Sequence, residues 1–157
     1  MAETPAETSV VEHEVRVAAR AETVFPYFTD PAKLAVWMGP AATMDPRPGG
    51  VFRAATLTGS TLLGEYVEVD PPRRIVFTWG FEERLFGMPP QSTEVEVSLV
   101  PDGDETIVRL VHRRLPAEAV DVHGRGWEHY LGRLALAAGG VDPGPDPWRE
   151  AAGSAGA

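Results

Sequence analysis

The sequence predicts an α+β domain: a curved antiparallel sheet wrapped around one long C-terminal helix, with two short helices after the first strand. Three features of the chain lead there. A stretch of alternating residues opens it, a run of strands joined by tight turns fills the middle, and the only long helical period comes last. An antiparallel sheet with one solvated face must hide the other. Only the last helix is long enough to cover it, and a strongly curved sheet gripping a single helix leaves a cavity between them.

Residues 1–9 form a polar lead-in expected to be disordered. The domain is expected over 10–140, followed by a Pro/Gly-rich tail over 141–157. In the first strand Val11, His13, Val15 and Val17 share one face and Glu12, Glu14 and Arg16 the other. AETVFPYFTDPAKLAVWMG reads as two short helical pieces, with Val24 and Phe28 on one face, Asp30 as N-cap and Pro31 as first helical residue. Pro26 deletes a backbone bond and is expected to kink or shorten the first piece. The turns Pro48-Gly49-Gly50, Thr58-Gly59-Ser60, Asp70-Pro71-Pro72 and Pro101-Asp102-Gly103 punctuate the strands VFRAATL, TLLGEYVEV, RIVFTW, STEVEVSLV and ETIVRLVHRRL. STEVEVSLV alternates most clearly, with Thr93, Val95, Val97 and Leu99 against Glu94, Glu96 and Ser98; placed at a sheet edge it would pair with a second copy to give a homodimer. The final helix is expected from Pro116 to Gly139-Gly140, and in the tail only Trp148 looks able to dock.

Composition narrows the function. A chain of 157 residues with 43% hydrophobic residues suits one domain with its own core. A net charge of −9 with no basic stripe makes a poor partner for nucleic acid or an anionic membrane. Cysteine is absent, which removes disulfides, thiolate metal sites and Cys nucleophiles. The acidic N-terminus has no signal-peptide pattern and no apolar segment reaches membrane-spanning length, so a cytoplasmic protein is expected. No His/Asp/Glu cluster has metal spacing, and no nucleophile elbow, phosphate-cradling loop or dinucleotide fingerprint is present, so no metal or cofactor is expected.

The stretch GWEHYLGRL mixes residues capable of acid/base chemistry with apolar ones, and helical geometry sorts them. Trp127, Leu131, Leu134 and Ala138 fall on the sheet-facing stripe with Tyr130 on its shoulder; Glu128, His129 and Arg133 fall on the far side, where His129 is expected to be a solvated surface histidine. Gly124 and Gly126 are costly inside a helix, and close approach to the sheet or the small helices is the favoured reason, with a moving gate as the alternative. His112 shares a strand face with Val108 and Leu110. It is either a buried histidine bonded to a carbonyl or to Tyr130, or a polar anchor or general base for a ligand. His123, one turn before Trp127, is expected at the cavity mouth. Aromatic and Met residues are spread over every element, as an apolar pocket with few polar groups requires. Trp79, Phe52, Trp127, Leu110 and Leu131 are the expected wall, and Tyr66, Tyr130 and His112 the candidate polar anchors.

VFPYFTDPAKLAVWMG, DPRPGGVFR, GEYVEVDPPRRIVFTWGF, PDGDET, VHRRLP and HGRGWEHYLGRL, taken in order, resemble the Aha-type family. These are homologues of the C-terminal domain of the activator of heat-shock protein 90 ATPase, within the START-like, or SRPBCC, superfamily. The resemblance covers Val10 to about Trp148. It implies a helix-grip fold with a cavity for hydrophobic small molecules, and it places Trp37, Phe52, Tyr66, Trp79, Phe81, His112, Trp127 and Tyr130 around that cavity. The RLFGM segment departs from the family pattern and is expected to fill or gate the mouth, and Pro26 departs from it within the first helix. The family has no fixed catalytic set to transfer, and the chain is expected to lack the separate N-terminal chaperone-binding domain of the eukaryotic activator. The leading expectation is a non-enzymatic carrier or sensor of a lipid-like or aromatic molecule. The alternatives are a polyketide-cyclase-like enzyme using His112 as base, and an interaction module for a chaperone or regulator.

Overall fold

The computed structural model describes residues 9–39, 41–56 and 59–148. The expected disordered lead-in therefore lies, apart from Ser9, outside the described residues, as does the tail beyond Trp148. Strand β1 (Ser9–Val17) leads into helix α1 (Ala21–Val24), a 3-10 turn (Phe25–Phe28) and helix α2 (Pro31–Trp37). Six strands follow: β2 (Ala42–Met44), β3 (Val51–Ala55), β4 (Thr61–Asp70), β5 (Arg74–Trp79), β6 (Thr93–Asp102) and β7 (Glu105–Leu115). A 3-10 turn at Ala117–Ala119 then opens the long helix α3 (Val120–Ala138).

Local chemistry accounts for the breaks. Pro26 lies in the 3-10 turn that ends α1 after four residues, as the missing N–H requires. Asp30 caps α2 by accepting from the Ala32 amide at 2.9 Å, and Pro31 occupies the first turn. Short β2 has no usable period of its own for a sequence reading to find; pairing with β3 holds it in place, with Ala42 and Met44 packed against the core.

The strands form one seven-stranded antiparallel sheet in the order β1-β7-β6-β5-β4-β3-β2. The alternation of β6 is realised: Thr93, Val95, Val97 and Leu99 are buried and the residues between them are half-buried. Its place in the sheet corrects the expectation of an edge. β6 is paired on both sides, by β5 and β7, so it has no free backbone to offer a second copy. Curvature enters through irregular positions. The β4–β5 register shifts between Tyr66 and Glu68, and Gly64 lets β5 close in, since a Cβ there would sit 1.8 Å from the Thr78 carbonyl oxygen. In β7, Arg114 takes a left-handed φ of 66°, which lets Leu115 rather than Arg114 face inward after His112.

Helix α3 lies on the concave face with His123, Trp127, Leu131, Leu134 and Ala138 buried. Beneath its C-terminal half the core is filled by side chains from β1, α1, α2 and the sheet, among them Val17, Phe28, Leu34 and Trp37. Among the described residues no helix is long and apolar enough to cross a membrane.

The expectation of a solvated His129 is also corrected. Residues 141–148 return across the outer face of α3 and cover it. His129 Nε2 meets both carboxylate oxygens of Asp146, at 2.8 and 3.0 Å, and its ring stacks on Trp148 at 3.7 Å. Arg133 donates to the carbonyls of Gly144 and Val36, at 2.7 and 3.3 Å, and its Nε lies 3.4 Å from Asp146.

Candidate functional site

A cavity of about 280 Å³ lies under the N-terminal half of α3. The helix contributes a stripe at i, i+1, i+4, i+5 and i+8: Val122, His123, Gly126, Trp127 and Tyr130. The sheet contributes Ala54, Ala55, Leu62 and Trp79, with Thr56 and Ser60 from the β3–β4 turn. Phe81, Leu85 and Phe86 close one side, and Met38 and Trp148 the other. Phe86 and Trp148 are 39% and 41% exposed, which puts them at the rim where the cavity meets solvent.

Four of the ten expected pocket residues line this cavity: Trp79, Phe81, Trp127 and Tyr130. His123 lines it as well, and the RLFGM segment contributes Leu85 and Phe86. Trp37, Phe52, Tyr66, Leu110, His112 and Leu131 are all buried but none lines it, which corrects their expected position on its wall. They fill the core instead. The Trp37 indole donates to the Tyr27 carbonyl at 3.0 Å and its ring meets Phe28 edge-on. Phe52 stacks on Phe77 at 4.4 Å. The Tyr66 hydroxyl donates to the Phe28 carbonyl at 3.0 Å, and burial pushes its pKa up, with the Asp45 charge a lesser cause. Tyr66 and His112 are therefore no longer available as anchors.

His112 is one member of a closed hydrogen-bond relay behind the cavity wall. The Trp127 indole N–H donates to His112 Nδ1 at 3.0 Å, so the neutral ring carries its proton on Nε2. That proton goes to Thr93 Oγ1 at 2.7 Å, and Thr93 passes its own to the Trp79 carbonyl at 2.7 Å. A second chain runs from the Trp79 indole to His123 Nε2 at 3.2 Å, and from His123 Nδ1–H to the Ala119 carbonyl at 2.9 Å. Burial pushes the His112 pKa well below its ordinary value, and the neighbouring His123 adds to this. Burial lowers His123 too, against the opposing pull of its bond to Ala119. Both rings are neutral, with every nitrogen engaged. They fix Trp79 and Trp127, whose rings lie 5.0 Å apart, as a rigid piece of cavity wall.

Ala54, Leu62, Val122 and Gly126 are lining residues that the sequence reading did not select for the cavity. A signal for the helical ones was present. Val122, Gly126 and Tyr130 are spaced by four, so the stripe carries a gap in the middle where a side chain would otherwise fill space. A Cβ built on Gly124 or Gly126 meets nothing within 4 Å, so close approach does not explain either glycine. The segment after β5 bends through left-handed residues at Arg84, Phe86 and Gly87, with φ of 57°, 55° and 70°. For a bulky residue such as Phe86 this backbone is strained, and it holds the ring at the rim. Among the described residues no group of three or more His, Asp or Glu could hold a metal ion.

A helix-grip fold enclosing a small aromatic cavity is the architecture of the START-like superfamily, and the comparisons with known proteins agree. The family described as activator of Hsp90 ATPase homolog 1-like protein matches residues 18–139, and the chain belongs to it. A solution structure of an AHSA1-like protein from Rhizobium etli is 39% identical, with a TM-score of 0.72 over 94% of this chain and 92% of that one. The crystal structure of DynU16, from the dynemicin biosynthetic locus, is 26% identical with a TM-score of 0.71, over 87% of this chain and 50% of that one. An HSP90 activator from Plasmodium falciparum is 24% identical, covers 83% of this chain and 96% of its own, and has a TM-score of 0.67, a likeness of fold. No curated protein matches the chain.

Proposed function

We propose that the protein binds an apolar small molecule, lipid-like or aromatic, in the cavity under α3, as a carrier or sensor. The observation that carries this reading is the cavity itself: about 280 Å³ of unfilled space walled by Trp79, Phe81, Phe86, Trp127 and Trp148, beside a core of buried side chains. Space walled by apolar groups is poorly used by water, which needs two to four polar partners. A cavity of about 150 Å³ holds a benzene, so this one suits a bicyclic aromatic or a short acyl chain. The strained Phe86 backbone supports a rim that opens and closes around a guest.

The enzymatic alternative, with His112 as base, finds no support in the geometry. Both ring nitrogens are committed to buried partners and the residue does not reach the cavity. The chaperone-associated alternative draws on the family description and on the neighbour from Plasmodium falciparum, not on a residue of this chain.

The test is a titration with N-phenyl-1-naphthylamine, an uncharged fluorophore that brightens in apolar surroundings. One saturable site is expected in the wild type. Gly126→Leu, which extends a side chain into the space, should abolish it without unfolding the protein. Absence of saturable binding by the wild type, or an unchanged signal in the filled variant, would count against the cavity.

A further inference from the structure

Nearly all the polar side-chain groups around the cavity are already engaged. His123 uses both ring nitrogens, and the indole N–H groups of Trp79 and Trp127 end on His123 and His112. The Ser60 hydroxyl lies 2.6 Å from that of Thr56. Two lining donors have no protein acceptor among the described residues: the Tyr130 hydroxyl and the Trp148 indole N–H. Their rings meet edge to face with centroids 5.6 Å apart, so both donors serve one end of the cavity. Burial, reinforced by the charge of Asp146, pushes the Tyr130 phenol up to about 12, which keeps it a proton donor at neutral pH. No charged side chain lines the cavity among the described residues.

We propose that Tyr130 is a specificity-determining residue, whose hydroxyl donates a hydrogen bond to a carbonyl or ether oxygen on an uncharged and otherwise apolar ligand. This rests on the reading of the cavity as a ligand site. Tyr130 is half-buried, and a guest filling the cavity strips it of water. A guest with an acceptor replaces the lost bond. A guest of the same shape without one leaves the phenol unpaired, and sites that are built to hydrogen-bond discriminate strongly against such analogues. An anionic acceptor is disfavoured, because no cation lines the cavity among the described residues to offset its loss of water.

The experiment compares 2-acetylnaphthalene with 2-isopropenylnaphthalene, which share one skeleton and differ by an oxygen in place of a methylene carbon. Each is titrated into the full-length wild type, Tyr130→Phe and Trp148→Phe, following tryptophan quenching. The wild type should bind the ketone about tenfold more tightly than the hydrocarbon, a typical return for one buried hydrogen bond. Tyr130→Phe should bind the two within about twofold of each other, whereas Trp148→Phe should keep the preference. Equal binding of both probes by the wild type would overturn the assignment while leaving the cavity reading intact. A preference that survives in Tyr130→Phe but is lost in Trp148→Phe would move the donor to the indole and overturn it too. Binding of neither probe would sink the cavity reading, and this proposal with it.

Discussion

Replacing Gly126 by alanine is expected to stabilise the protein, the reverse of what most substitutions in a buried helix face do. Glycine in a helix interior is about 1 kcal/mol worse than alanine, because its backbone loses more freedom on folding. That gain is normally cancelled where the glycine admits a close neighbour. At Gly126 a Cβ meets nothing within 4 Å, so nothing cancels it. Gly126→Ala should therefore add about 1 kcal/mol, or roughly 2–4 °C in Tm for a domain of this size. Gly64→Ala serves as the opposite case, since its Cβ would collide with the Thr78 carbonyl and should cost at least about 1–3 kcal/mol. The assay is urea unfolding of ligand-free protein, read by tryptophan fluorescence and far-ultraviolet circular dichroism, with an unchanged slope as the check that only stability has moved. If Gly126→Ala destabilises the protein to the extent of Gly64→Ala, the space beside Gly126 is filled and the account of the cavity is wrong.

Other consequences are as direct. His112→Ala should lower stability by about 2–4 kcal/mol, because it deletes a fully buried ring and orphans the Trp127 indole N–H; urea unfolding reads the loss, and a change below about 1 kcal/mol would refute the relay. Stability should also fall on acidification. The unfolded chain protonates both histidines near 6.5 while the folded protein holds them neutral, so the unfolded state binds more protons and gains on the folded one as pH drops below about 6.5. Each histidine contributes a slope of up to about 1.4 kcal/mol per pH unit until its depressed folded pKa is reached, and unfolding at pH 7.5 and 5.5 would expose a flat profile if the account is mistaken. Asp146→Ala removes the acceptor shared by His129 and the Trp148 amide, and should free the segment after residue 140 for proteolysis with a loss of about 1–3 kcal/mol. Phe86→Gly relieves a strained backbone and removes a rim ring, so stopped-flow traces of N-phenyl-1-naphthylamine should show faster release than from the wild type.

The architecture was legible because its two periods are clean. Val95, Val97 and Leu99 alternate with Glu94 and Glu96, and Trp127, Leu131, Leu134 and Ala138 follow a helical stripe; both patterns survive folding unchanged. Pairing was not legible. Nothing in the alternation of β6 says whether it has one neighbour or two, because alternation records which face is wet and not which edge is free. The outer face of α3 failed for a similar reason. A helical wheel places His129 and Arg133 away from the sheet correctly, yet it cannot register that residues 141–148 return to cover them.

The site was half legible. Aromatic composition marks a seam rich in large rings, but it does not separate rings that fill space from rings that border it. Phe52 and Trp37 find partners in Phe77 and Phe28, whereas Trp79 and Trp127 face a void. The distinction lies in the missing side chain at Gly126, which in the sequence alone is indistinguishable from a packing constraint. His112 was correctly placed on the buried face, but its partners come from β6 and α3, elements whose register with β7 only the fold supplies.

The measurement that tests the central claim most directly is the mass of the purified protein, taken under gentle native conditions and again after denaturation, for the wild type and for Gly126→Leu. The account predicts a reproducible excess in the native wild-type spectrum that vanishes on denaturation and is missing from the filled variant. An identical excess in both proteins would contradict it, because the bound molecule would then lie somewhere other than the cavity under α3.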